Sequence, residues 1–449
     1  MRIIVVGAGP TGLFTAMALA RRGHGVTVVD RDPGPEHDGS WSRRGVMQFH
    51  HPHAFRAQVV EALQAELPEV WCDLLAAGAQ PMEAPAGPNG SDGPALRMGI
   101  RCRRLTFERV LRAAAEREPG VVLRVGHVDD VCTDRGRATG VRVDGVPLDA
   151  DLVVAASGRA GRLGRDLRAP AQGGDCGIAY VSRQYRLNPG AEPGPMNSPL
   201  GQIDHYPGYQ VIVFPHDHGV FSTLIARSSD DGALAALRTT EAFEAAAGAI
   251  PALADWTDPA RARPYTPVLP GGRLYNTFQG QLDDTGAVAL PGLIFVGDSV
   301  CTTNPAVGRG VTTSLLQAQE LLRLVEEHPR DLAAATLAFD RWCTDNIAPW
   351  YDDHVAWDAD LARRWAGGDV DLGRPLPSDL VVAATEADPS LFPLIVPYLG
   401  MRALPASLDA VQPRVREIYA GGWRPPVPDG PTRDELAELV SGHVLAGMH

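Results

Sequence analysis

The residues best equipped for chemistry stand at the start of the chain. Gly7, Gly9 and Gly12 lie in the sequence GAGPTG, directly after the apolar run Arg2 to Val6 and directly before the helix-like stretch LFTAMALARRG. A strand that turns into a helix in this way leaves the first helical amides unpaired, with the positive end of the helix dipole behind them, and that is a seat for a pyrophosphate. Gly7 permits the turn, Gly9 lets the backbone approach the phosphates, and Gly12 lets the helix lie on the strand. A second strand, Gly25 to Val29, runs into Asp30. At this spacing a carboxylate accepts from the ribose hydroxyls of an adenosine and repels a 2′-phosphate, so the nucleotide expected is FAD or NAD and not NADP.

A second segment, Gly292 to Gly310, reads GLIFVGDSVCTTNPAVGRG and precedes the helical VTTSLLQAQELLRLV. Gly297 and Asp298 close its buried strand, where Asp298 can accept from a ribityl or ribose hydroxyl. Pro305, Gly308, Arg309, Gly310 and Val311 lead into the helix, whose first amides suit the pyrimidine edge of an isoalloxazine. Negative charge gathers at that edge on reduction, so a helix dipole lowers its cost. A simple NAD dehydrogenase has no need of this segment, and FAD is therefore the expected cofactor.

The pairing of GAGPTG with GDSVCTTNPAVGRG resembles the FAD-dependent monooxygenases of the para-hydroxybenzoate hydroxylase-like fold, over roughly residues 1 to 345. The resemblance implies an α/β fold: a Rossmann-like FAD-binding domain, an inserted antiparallel-sheet substrate domain and a helical C-terminal region. It implies that Gly7, Gly9, Gly12 and Asp30 hold the ADP half, that Asp298 holds the ribityl side, and that Asn304 to Val311 run beside the ring. Arg44 falls where the family places an arginine beside the flavin, and Arg104 where an Arg or Gln begins the next helix. Arg104 is preferred to Arg103 by its three-residue distance from Phe107.

The segment Asp151 to Arg165 carries Ser157-Gly158 where the family commonly has Asp-Gly, a motif tied to both FAD and NAD(P)H. Gly158 is retained as a cofactor residue, but the donor stays open between NADH, NADPH and a separate flavin reductase. His51 and His53 of the HHPH segment are acid/base candidates by resemblance, and with no carboxylate or cysteine nearby they make no metal site. The activity implied is hydroxylation or epoxidation of an aromatic or polycyclic small molecule with NAD(P)H and dioxygen, through a flavin C4a-hydroperoxide. A reductase or redox-neutral cyclase of the same superfamily, or the oxygenase half of a two-component system, are the alternatives. A flavin-dependent halogenase of this fold uses a lysine, and this chain contains none.

Positioning these residues takes a large body, and 449 residues at 45% hydrophobic can build one. The divisions expected are 1–175 and 291–345 for the FAD-binding domain, 176–290 for the substrate sheet, with 78–100 contributing to it, and 346–449 for a helical region. YQVIVF and VFSTLIAR form a hairpin across Pro215 to Gly219. Alternation puts Tyr209, Val211 and Val213 on one face and Gln210, Ile212 and Phe214 on the other, without saying which meets the flavin. Tyr180, Tyr206, Val213 and Phe214 are the pocket candidates. Trp342, Trp350, Trp357 and Trp365 recur at helical spacing and read as core or dimer packing, which allows a homodimer. Thr432 reads as the N-cap of the last helix.

A net charge of −13 disfavours nucleic acid as a partner, and all 41 basic residues are arginine, which removes Schiff-base and P-loop lysine chemistry. The six cysteines show no Cys-x-x-Cys spacing, so neither zinc nor a disulfide framework is expected, and a reducing cytoplasm fits. No apolar run is long enough for a membrane span.

Overall fold

The computed structural model describes residues 1–43, 45–84 and 96–446, so Arg44 and much of the 78–100 segment lie outside the described residues. A five-stranded parallel sheet forms the nucleotide side. Its order is Leu293–Phe295, Leu152–Ala155, Arg2–Val6, Gly25–Asp30 and Val121–Val125. The central strands are β-branched and buried on both faces, as parallel strands between helices must be. The helices Pro10–Arg21 and Gly310–Glu327 pack together on this sheet, which brings the two glycine segments side by side.

An antiparallel sheet forms the other layer, in the order Gln202–Tyr206, Tyr209–Pro215, Val220–Ser228, Ile178–Leu187 and Ala262–Pro264, with Leu269–Gly271 also pairing to Ile178–Leu187. The hairpin closes through Asp217–Gly219, where His218 takes a left-handed φ of 55°. Asp217 is fully buried and accepts from the Arg103 amide at 2.6 Å, the Arg103 guanidinium at 2.5 Å and the Thr106 hydroxyl at 2.7 Å. One carboxylate thus fastens the hairpin to the first turn of the helix Arg104–Arg117. Those donors hold Asp217 below the usual carboxylate range against the opposing effect of burial.

The two faces of the antiparallel sheet have separate cores. Val181, Tyr185, Tyr206, Tyr209, Val211, Val213, Phe221 and Ile225 pack under Thr240–Ala249, Pro251–Thr257 and the chain-terminal helix Arg433–Ala446. That last helix starts with a capping box, since Thr432 donates from N to Glu435 Oε2 at 2.8 Å and accepts from the Glu435 amide at 3.3 Å. Ile178, Tyr180, Ile212, Phe214, Leu224 and Ala226 point the other way, against Ala54, Leu274 and Leu361. Tyr206 and Val213 therefore lie on the helix-covered face, opposite Tyr180 and Phe214. Tyr206 stacks on Tyr209 at 4.5 Å and donates to the Asp429 carbonyl, on the face that the helices seal.

The tryptophan series is divided as well. Trp342 ends up on Leu332–Asn346, while Trp350, Trp357 and Trp365 share Ala348–Trp365. Trp350 joins the core of the C-terminal helices, whereas Trp357 and Trp365 pack on the inner face of the antiparallel sheet.

Candidate active site

The pyrophosphate turn has the shape its glycines require. Gly7 sits at φ +111°, and a Cβ there would fall 2.5 Å from the Ala156 carbonyl oxygen. A Cβ on Gly12 would fall 1.9 Å from the Gly7 carbonyl oxygen, so Gly12 is a packing glycine. Gly9 differs from both: its φ of −80° suits any residue, and a Cβ would meet nothing nearer than Arg43 Nη1 at 3.9 Å. The space a side chain would fill lies in front of the helix start at Pro10, whose first-turn amides have no intrahelical acceptor. That space and those donors fit a pyrophosphate.

Asp30 stands beside the turn, where its Oδ2 accepts from the Ala8 amide at 2.6 Å and from Arg43 Nη2 at 2.8 Å. A carboxylate retains further lone pairs for ribose hydroxyls. Arg43 was not singled out by sequence. It is buried, donates to the Ala8 carbonyl and to Glu108 Oε2 at 2.6 Å, and so links the turn to the helix Arg104–Arg117. Glu108 receives Arg104 Nε at 2.5 Å from its other side, and Arg104 Nη1 lies 3.4 Å from His53 Nε2. Arg103 points instead to Asp217 and Tyr265.

Asp298 lies on the turn Gly297–Ser299, half-buried, and its carboxylate receives no hydrogen bond among the described residues. Burial raises its pKa, and the positive charges of Arg104 and Arg159 pull the other way. An acceptor left free between two arginines fits a hydroxylated chain such as ribityl. Gly158 adopts φ +72° and its carbonyl accepts from Ser299 Oγ at 3.4 Å, which ties the Ser157-Gly158 turn to the Asp298 turn. Pro305 starts the short turn Pro305–Val307, Gly308 ends it at φ +68° with its backbone close to Ala54, and Gly310 and Val311 begin the long helix.

The Arg309 guanidinium is taken up by protein groups. It is buried among the C-terminal helices, pairs with Asp353 Oδ2 at 2.5 Å, donates to the Tyr398 hydroxyl and lies 4.9 Å from the Trp350 ring centroid. This partner, Asp353, lies 44 residues downstream.

His51 is buried, shares a 2.8 Å hydrogen bond with Ser182 Oγ, and meets Tyr180 edge-on at 4.9 Å. Burial pulls its pKa down to about 4. His53 Nδ1 faces the His51 carbonyl at 2.9 Å, and burial together with Arg104 pulls its pKa down to about 3. Both rings are neutral at pH 7, able to accept a proton only weakly and able to donate a hydrogen bond. Tyr180 and Phe214 lie on the inner face with Ile212 and Leu224, in one core with Ala54, which borders the Gly308 turn.

A surface groove of about 640 Å³ is lined by Trp41, Arg103, Arg109, Arg186, His218 and Tyr265, among others. A recess of about 270 Å³ shares Arg103, Leu105 and Tyr265 with it and reaches His50 and Gln184. Arg109 and Arg186 make no ion pair among the described residues.

Residues 2–89 match the family described as FAD dependent oxidoreductase. The D-amino acid dehydrogenases that match the chain do so over only 12% of their own length. Protein Rv3254 of Mycobacterium tuberculosis is 27% identical over 86% of this chain and 87% of its own. Among solved structures, the flavin-dependent brominase Bmp2 superposes with a TM-score of 0.65 at 15% identity, covering 94% of this chain and all of that one. The anhydrotetracycline hydroxylase OxyS of Streptomyces rimosus gives 0.56 at 17% identity, over 89% of this chain and 76% of its own.

Proposed function

We propose that the chain, an FAD-dependent oxidoreductase with the para-hydroxybenzoate hydroxylase-like fold, is a monooxygenase that hydroxylates or epoxidises an aromatic or polycyclic small molecule. The observation that carries this reading is the apolar inner face of the antiparallel sheet, Tyr180, Ile212, Phe214 and Leu224, set against the Gly308 turn through Ala54. FAD, when bound, supplies electron transfer and oxygen activation. The chain binds its phosphates at Gly9, orients its hydroxyls with Asp30 and Asp298, and presents an aromatic wall that excludes water from the reacting centre. His51, neutral and held by Ser182, is the group placed to bind a substrate hydroxyl beside Tyr180. The hydroxylase OxyS has a related fold and a polycyclic substrate in its name, which supports the class. The brominase Bmp2 shares the fold, but the absence of any lysine here argues against halogenation.

Electrons come from NADH or NADPH, in this proposal, docked in the groove of Arg109 and Arg186, where guanidinium groups meet phosphates. Ser157 in place of an acid favours a second reading, the oxygenase half of a two-component system. Oxygen uptake by FAD-loaded protein with either nicotinamide, against a panel of phenolic, indolic and polyketide-like substrates, tests both. Substrate-dependent uptake with an oxygenated product supports the monooxygenase. Uptake only when a flavin reductase is added selects the second reading, and a reduced or isomerised product without oxygen overturns both.

A further inference from the structure

The segment 304–310, which the proposed function places beside the flavin, is held by an internal network whose key sits far away in sequence. Asp358, on Ala348–Trp365, is 3% exposed and has no ion-pair partner among the described residues. Its Oδ2 accepts from Asn276 Nδ2 at 2.7 Å and its Oδ1 from Asn304 Nδ2 at 2.9 Å. Each amide then uses its own oxygen on the loop: Asn276 Oδ1 accepts from the Asn304 amide at 2.7 Å, and Asn304 Oδ1 accepts from the Ala306 amide at 3.1 Å. Asn276 and Asn304 are themselves buried, at 3% and 1% exposure.

An ionised carboxylate can only accept, so it dictates the orientation of both carboxamides. With their Nδ2 groups turned to Asp358, both must turn Oδ1 to the loop amides, and the loop is fixed in one shape. A neutral amide at 358 would offer one donor and one acceptor. One of the two asparagines would then have to reverse and face a loop amide with its own N–H. A buried unpaired carboxylate is otherwise expensive, which is why burial raises Asp358 to about 6.

We propose that Asp358 is a positioning residue for the cofactor loop, setting the direction of the Asn304 and Ala306 amides and with them the shape of 304–310 against the flavin. This rests on the reading that the loop lies beside the ring. The network predicts a swap. Asp358→Asn leaves one mismatched donor, and Asn304→Asp brings two carboxylates together. The double variant restores every bond, because the new amide at 358 accepts from Asn276 and donates to the new carboxylate at 304, which still accepts from Ala306.

The test uses the full-length protein in four forms, wild type, both single variants and the double. Two quantities are read: FAD dissociation constant by fluorescence titration, and amide exchange over 304–310. Each single variant should bind FAD about tenfold more weakly, from the loss of a buried hydrogen bond, and exchange faster in the loop. The double variant should recover both. A mere packing role predicts losses that add in the double. Additive losses, or unchanged exchange in Asp358→Asn, overturn the proposal while leaving the flavin reading intact. Altered exchange with FAD affinity unmoved overturns the placement of the loop beside the flavin, and the proposal with it.

Discussion

Gly9 and Gly12 occupy one motif yet should fail in different ways when each becomes alanine. At Gly12 the new Cβ would stand 1.9 Å from the Gly7 carbonyl oxygen, and that obstacle is backbone. An ordinary C···O contact is more than an ångström longer, so helix and strand must part. Overpacking of this kind costs about 3 kcal/mol at its upper end, and the better helix propensity of alanine returns about 1 kcal/mol. Gly12→Ala is therefore expected to lose about 2 kcal/mol of stability. At Gly9 the backbone is already in an ordinary region and the nearest atom is 3.9 Å away, so Gly9→Ala should hold its stability within about 1 kcal/mol. Its methyl group would stand where the phosphates approach, at the loss of one charge-assisted hydrogen bond of about 1.5 to 3 kcal/mol. FAD should bind about 10- to 100-fold more weakly. Denaturant unfolding without cofactor and FAD titration separate the two effects. A Gly9→Ala protein that keeps wild-type FAD affinity, or a Gly12→Ala protein with wild-type stability, refutes the division of labour.

Asp298→Asn should lower FAD affinity about tenfold with no change in unfolding midpoint, since the carboxylate supports no protein contact; a shifted midpoint would show an internal role. Arg309→Leu leaves Asp353 buried without its cation and should cost about 3 to 5 kcal/mol. Limited proteolysis should then open the 348–420 helices first, and a changed flavin potential with intact stability would put the guanidinium back at the ring. His51 is depressed from 6.5 to about 4 by burial, so its contribution is present above pH 6.5 and is lost as pH falls toward 4, about 3 kcal/mol in all. Unfolding free energies of wild type and His51→Gln, measured from pH 8 to 4, should converge across that window. Asp358 carries the opposite sign: raised from 3.8 to about 6, it adds stability only below about pH 4 and loses it as pH rises through 6. Relative to Asp358→Asn, wild type should therefore gain stability on acidification, and parallel curves would contradict the shift.

The glycine turn at 7–12 was legible because strand, turn, helix and Asp30 are adjacent in sequence, and Gly7 and Gly12 answer local steric demands. Asp298 was legible for the same reason. Arg43 was missed because the 31–46 loop has no period, and nothing local ranks one arginine of the pair above its neighbour. The hairpin was half legible: alternation sorted it into two faces, but which face the helices would seal depends on Arg433–Ala446, some 220 residues away. Tyr180 and Phe214 fell on the inner face, Tyr206 and Val213 on the sealed one. Arg309 and Asp358 share one lesson, since their partners lie 44 and 54 residues off across a helix break at Ile347.

The antiparallel sheet, packed against a separate core on each face, has a consequence for how this chain can change. Successive residues of each strand answer to different demands: Val211 and Val213 pack under the helices, while Ile212 and Phe214 belong to the inner core that the proposed function assigns to the substrate. A population of variants could recut the inner positions, trading bulk between Tyr180, Ile212, Phe214 and Leu224, with the sealed face as a constant foundation. Each step would cost some packing on the inner side while leaving the helix-covered core as it is, and the lineage would diversify along every second residue.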